Sequence, residues 1–79
     1  MTHQQYLDLQ KLIDIGEELN FEYKGNEYWI SNTPDNKHHL TRVSDAYTQT
    51  FDNPKTLFKK GKIDGQHLGD IYHDIPWID

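Results

Sequence analysis

The stretch that most constrains how this chain can fold is Leu19 to Ser31, LNFEYKGNEYWIS. Two runs of alternating apolar and polar residues flank Gly25-Asn26, a pair that tolerates the positive φ of tight hairpin turns. With that pair as the loop, Lys24 faces Glu27, Tyr23 faces Tyr28, Glu22 faces Trp29 and Phe21 faces Ile30. Leu19, Phe21, Tyr23, Tyr28 and Ile30 then share one face, where aromatic and β-branched cross-strand pairs are favourable. Asn20, Glu22, Lys24, Glu27, Trp29 and Ser31 take the other. A slip of one residue would turn the whole apolar set to solvent, so the faces are firmly specified. Trp29 is the residue left over, a large aromatic on a polar face.

The remaining segments read as cover for the apolar face. Residues 2–15 predict a helix: Thr2 and Gln5 have capping-box spacing, and Tyr6, Leu9 and Ile13 form a stripe that Leu7 and Leu12 broaden. Gly16 is placed to end it. Ser31 to Lys37 is a cluster of turn residues around Pro34-Asp35. His38 to Val43 predicts a third strand and Tyr47 to Phe51 a fourth. Asp52-Asn53-Pro54 is a helix start, Leu57 and Phe58 point inward, and Gly61 stops that helix. Leu68, Ile71, Tyr72 and Ile75 fall at i, i+3, i+4 and i+7, which predicts an amphipathic helix of about ten residues ending at Pro76. The expected fold is one small α+β domain over residues 1–79. It has a three- to four-stranded antiparallel meander, with an N-terminal helix and two short C-terminal helices packed on one face.

Composition narrows the function classes. A chain of 79 residues has a thin core, burying about 60% of its unfolded surface. The absence of cysteine excludes disulfides and thiolate metal sites and suits a reducing compartment. The first residues have no signal-peptide pattern, and no apolar run nears the roughly 20 residues of a membrane helix. A cytoplasmic protein without membrane association is expected. The net charge of −5 argues against direct nucleic-acid binding. Charge is uneven: residues 1–30 carry six acids against Lys11 and Lys24, whereas Lys55, Lys59, Lys60 and Lys62 make 51–62 basic. Such lysines equally solvate a helix face and favour its C-terminal dipole.

Catalytic chemistry finds little support. Ser31 and Ser44 sit in turns with no base motif beside them, and the scattered glycines form no phosphate loop. No enzyme activity and no cofactor are expected. Five histidines raise a weaker metal alternative: His67, Asp70 and Asp74 share one face of the last predicted helix, with His73 off it, so His67, Asp70 and His73 are the candidate ligands. The adjacent His38 and His39 point to opposite faces of a strand. The aromatic surplus is more informative. Trp29 on the hairpin and Trp77 beyond the last helix are either protein-contact anchors or lids packed on the core and under a loop.

The run FEYKGNEYWI, a Pro/Asp/Asn turn, QTFDNPKTLF and KIDGQHLGDIYHDI resembles a type of short uncharacterised protein found in Gram-positive bacteria and their prophages. These combine a YKG-x-EY hairpin, a helix start after an aromatic residue, and an IDG-containing C-terminal helix. The resemblance covers most of residues 19–75. Its motifs are structural and carry no catalytic residue. It implies the company of mobile elements, small accessory proteins and a protein target.

Three functions follow as expectations. The first is a non-enzymatic protein-interaction module, working through Trp29 with Glu22, Lys24 and Glu27 as rim, or through Trp77. An exposed strand would also allow a homodimer. The second is an acidic inhibitor that mimics nucleic acid toward a host enzyme, presenting Asp14, Glu17, Glu18 and Glu22. The third is the His/Asp metal-binding protein.

Overall fold

The computed structural model describes residues 1–76. The chain runs through α1 (His3–Asp14), strands β1 (Leu19–Tyr23), β2 (Asn26–Thr33), β3 (Lys37–Arg42) and β4 (Tyr47–Phe51), and helix α2 (Pro54–Lys60). It continues through β5 (Lys62–Ile63), β6 (Gln66–His67) and α3 (Leu68–Ile71), then a 3-10 turn, Tyr72–Asp74. The first four strands form one antiparallel meander in the order β1-β2-β3-β4. Trp77 lies outside the described residues.

Local signals start both longer helices where the sequence places them. Thr2 accepts from the Gln5 amide while the Gln5 side chain accepts from the Thr2 amide, completing the capping box of α1. Asn53 caps α2 by accepting from the Thr56 N–H at 2.8 Å, with Pro54 in its first turn. Gly61 follows α2 with an ordinary negative φ. Its lack of a side chain serves close packing, because a Cβ there would sit 2.6 Å from the Leu57 carbonyl oxygen and 3.0 Å from Leu40.

The hairpin register differs from the expected one. The turn is Lys24-Gly25, with φ of 50° and 81°, and the pairs are Tyr23 with Asn26, Glu22 with Glu27, Phe21 with Tyr28, Asn20 with Trp29 and Leu19 with Ile30. A primed turn takes positive φ at both central residues and favours glycine at the second. That preference selects Lys24-Gly25 over Gly25-Asn26. The opposing residue therefore moves by two positions, so every side chain keeps its face while every pair changes. The Lys24–Glu27 pair does not form; Lys24 instead lies over the Tyr23 ring, 5.3 Å from its centroid.

One further expectation, the ten-residue last helix, is corrected. Asp64-Gly65 repeats the same turn chemistry, with φ of 53° and 76°, and folds Lys62–Ile63 against Gln66–His67 as a second, minimal hairpin. The last helix consequently starts at Leu68, has one α-helical turn and tightens to 3-10. Leu68, Ile71 and Ile75 still reach the core, because the inward spacing survives the tightening.

All helices lie on one side of the sheet. Tyr6, Leu9 and Ile13 of α1 and Leu57 and Phe58 of α2 join Phe21, Tyr23, Tyr28, Ile30 and Leu40 of the strands in one buried cluster, closed by Ile63, Leu68, Ile71 and Ile75. Leu7 and Leu12 flank the α1 stripe and remain partly exposed. Tyr6 ties the helical layer together: it donates to the Phe58 carbonyl and stacks on Tyr72 at 4.1 Å. Its burial, reinforced by Tyr72 and Asp70, pushes the phenol pKa up to about 12. Met1 adds a second closure, its amino group donating to the Tyr72 and Ile75 carbonyls.

Candidate functional site

No described element covers the outer face of the sheet. Strand alternation and register place Asn20, Trp29, Thr41 and Thr48 in one row across all four strands, with Ser31, His39 and Thr50 in the next. Trp29 is 40% exposed near the middle, whereas Tyr28, one residue earlier, is 3% exposed on the core side. Glu22 and Glu27 face each other at the end of this surface nearest the turn.

The hydroxyl hydrogen bonds on this face fix which lone pairs remain. Thr48 donates to the Ala46 carbonyl, so the 3.0 Å contact between Thr41 and Thr48 must use the Thr41 proton. Thr33 donates to the Asp35 carboxylate and therefore accepts from Nε2–H of His39 at 3.2 Å. In the neutral ring Nδ1 is then an acceptor, taking the Thr50 proton at 3.0 Å. The Thr33 bond holds the Asp35 carboxyl below the usual range. Four threonine protons are thus spent within the face, leaving outward lone pairs beside two carboxylates. These threonines present acceptors, while Asn20, Trp29 and Ser31 on the same rows keep their own side-chain donors.

Glu22 and Glu27 have no cation opposite them. The ion pairs among the described residues are Lys37–Asp52, Arg42–Asp45 and the loose His73–Asp74 contact at 3.7 Å. Lys24, expected to neutralise Glu27, is turned toward Tyr23.

The Gln49 side chain bonds both backbone groups of Lys62, donating to its carbonyl and accepting from its N–H at 2.7 Å each. A side-chain amide thereby attaches the β5–β6 hairpin to the inner face of β4. On β1, the two-residue turn makes Tyr23 and Asn26 a hydrogen-bonded pair, so Phe21 and Leu19 also bond toward β2. The backbone groups of Asn20 and Glu22 face away from the sheet, and among the described residues no other backbone group bonds them.

The remaining sequence candidates are placed as follows. His67, Asp70 and His73 line one open cleft of about 650 Å³ together with Asp74. Among the described residues, no three His, Asp or Glu side chains are grouped to hold a metal ion. The expected common helical face of His67, Asp70 and Asp74 is lost because His67 belongs to β6 and Asp74 to the 3-10 turn. His38 and His39 do point to opposite faces: His38 is buried, bonded to Asn32. Asn32 also donates to the Glu17 carbonyl, and its N–H donates to the Glu18 carboxylate, so the acidic connector is anchored to β2. The threonine–histidine network was only half legible in the sequence; Thr48 and Thr50 alternate outward, but their partners depend on register.

No helix among the described residues is long and apolar enough to cross a membrane. No family model, curated protein or solved structure matches the chain.

Proposed function

We propose that the protein is a non-enzymatic interaction module that binds a protein partner through the outer sheet face around Trp29. The observation that carries this reading is a 40% exposed tryptophan in the middle of a four-stranded face that no described element covers. A flat indole offers a large desolvation gain at low entropy cost, which is why tryptophan dominates interface energetics. The spent hydroxyl protons and the opposed Glu22 and Glu27 specify the partner's chemistry: it brings donors, with lysine or arginine over the carboxylate pair. The outward backbone groups of Asn20 and Glu22 offer an adjacent edge for an added strand, from a partner or a second copy of the chain. The resemblance to short proteins of Gram-positive bacteria and their prophages makes an accessory protein of a mobile element, acting in the cytoplasm, the biological setting of this reading.

The Glu22–Glu27 opposition also favours a second reading, an acidic surface that occupies the nucleic-acid channel of a host enzyme. Salt separates the two. The test is affinity capture from a bacterial lysate at low and high salt, with Trp29→Ala alongside. A stoichiometric partner retained at high salt and lost in Trp29→Ala supports the interaction module. Binding that collapses with salt and tolerates Trp29→Ala favours the acidic mimic. No partner at either salt, from folded bait, overturns both.

A further inference from the structure

The open edge of the sheet at β1 is complementary to itself. Leu19–Tyr23 contains no proline and no lysine, and it pairs with β2 without a bulge, so the usual devices that blunt a strand edge are missing. Glu22 is its single charged residue. Leu19, Phe21 and Tyr23 bond toward β2, which leaves Asn20 and Glu22 to direct their backbone groups outward. A strand added here must set its own outward-directed residues opposite these two.

For two copies of β1 related by a two-fold axis, that condition leaves a short series of registers. Glu22 opposite Glu22 of the second copy sets like charges face to face. Asn20 opposite Asn20 sets Glu22 against Glu18 of the second copy, again like charges. Asn20 opposite Glu22 avoids both. In that register each Asn20 amide faces a Glu22 carboxylate, Phe21 meets Phe21 on the axis, and Leu19 meets Tyr23. The Lys24 turn comes alongside Glu18 of the second copy. Lys24 has no ion-pair partner among the described residues, and Glu18 engages only Oε2, with the Asn32 N–H at 3.3 Å.

The helical layer above this edge offers apolar surface as well. α2 lies over β3 and β4, and Gln10 and Asp14 of α1 line the groove toward its Pro54 and Lys55. Leu12 is two residues from each of them, hence on the opposite flank of α1, the side of β1. It is 38% exposed, and Ile15, which caps the same helix, is 74% exposed. Two-fold pairing brings these flanks toward each other over the axis and removes apolar area from water. We infer that β1 pairs with β1 of a second copy in the Asn20–Glu22 register, each copy donating from its Asn20 and Glu22 N–H groups. The product is one continuous sheet with a Trp29 on each half of its outer face. This narrows the edge offered above to one occupant, and it holds whether or not a partner sits on Trp29.

The test is sedimentation velocity of the full chain across the micromolar-to-millimolar range, because pairing along one short strand makes a small interface. Amide hydrogen exchange is read at both ends of that range. Wild type is expected to pass from monomer to dimer, with exchange slowed at the Asn20 and Glu22 amides. Asn20→Lys sets a cation opposite each Glu22 and is expected to tighten the dimer about two- to thirty-fold, the effect of two cross-strand charge pairs. Asn20→Glu is expected to weaken it by a similar factor. Glu22→Pro removes an outward N–H that the monomer does not use, so it is expected to abolish the dimer and keep the fold. Should that variant unfold, the opposite responses of the two Asn20 variants still decide. A monomer at every concentration would overturn the inference. So would a dimer indifferent to the charge at position 20, or one whose slowed amides lie on β4. Dimerisation is read with no partner present, so its failure leaves Trp29-dependent capture standing, and failure of that capture leaves the dimer standing.

Discussion

Tyr28 and Trp29 are consecutive aromatic residues on one strand, and they show what divides the two faces of this sheet. Tyr28 is 3% exposed under the helices; Trp29 is 40% exposed on the side the helices leave open. The inner face is apolar, with a cavity of about 240 Å³ at one corner. The outer face carries threonines and His39 whose protons are spent internally, and these present acceptors. A chain this short can cover one side of a four-stranded sheet with its helices and has little left to cover the other. On the proposed reading, stability and recognition fall on opposite faces of the same strands.

The sharpest way to break that division is to truncate one residue on each face and compare unfolding by urea. Ile30 is fully buried in the interior strand β2, and Ile30→Ala is expected to cost about 2–5 kcal/mol, a large part of the stability of a small domain. Trp29→Ala is expected to cost well under half as much, since no described element covers the indole. Equal costs for the two would mean that Trp29 is a structural residue, and the outer face would lose its claim to a partner.

A smaller change tests the electrostatics of the outer face. Glu22 and Glu27 oppose each other across the hairpin, and like charges in that position destabilise. Glu27→Lys converts the pair to opposite charges and is expected to raise stability by about 0.2–1 kcal/mol, with the gain shrinking in high salt. The same variant is expected to weaken a partner that brings cations. A more stable protein that binds less well would identify the opposed carboxylates as kept for binding; unchanged stability would show that water already screens them.

How much of this was legible in the sequence depends on the reach of each determinant. Helix starts at Thr2 and Asn53 are decided within four residues, and both appear where the sequence puts them. The facing of the hairpin is decided by alternation, so Trp29 was identified as the outward aromatic despite the wrong register. The register itself turned on whether glycine takes the first or second turn position, and Lys24 at positive φ gave no sign of its own. Asp64-Gly65 carried a recognisable hairpin signal, but the apolar spacing from Leu68 to Ile75 reads as a longer helix. Neither the acceptor character of the outer threonines nor the cavity at Tyr28 was legible. Both need side chains from three strands, and the cavity also needs Lys62 and Asp64 brought back by a two-residue hairpin.

The smallest expected effect lies at the rim of the cavity and contrasts with the opposed glutamates. Asp45 is matched where Glu22 and Glu27 are not: the bonds from Arg42, then the Tyr47 N–H, lower its pKa to about 2. A carboxylate depressed below its unfolded value of about 3.9 adds stability above that value and loses it as pH falls through the folded one. The window is therefore about pH 4 down to about pH 2. The group is fully exposed, so the contribution is small and screened by salt. Urea midpoints of wild type and Asp45→Asn, measured from pH 6 to pH 2, are expected to differ by a constant amount above pH 5 and to converge toward pH 2. A difference that stays constant through the acid range would show that Asp45 holds Arg42 by shape and hydrogen bonding alone, and that its charge adds nothing to the fold.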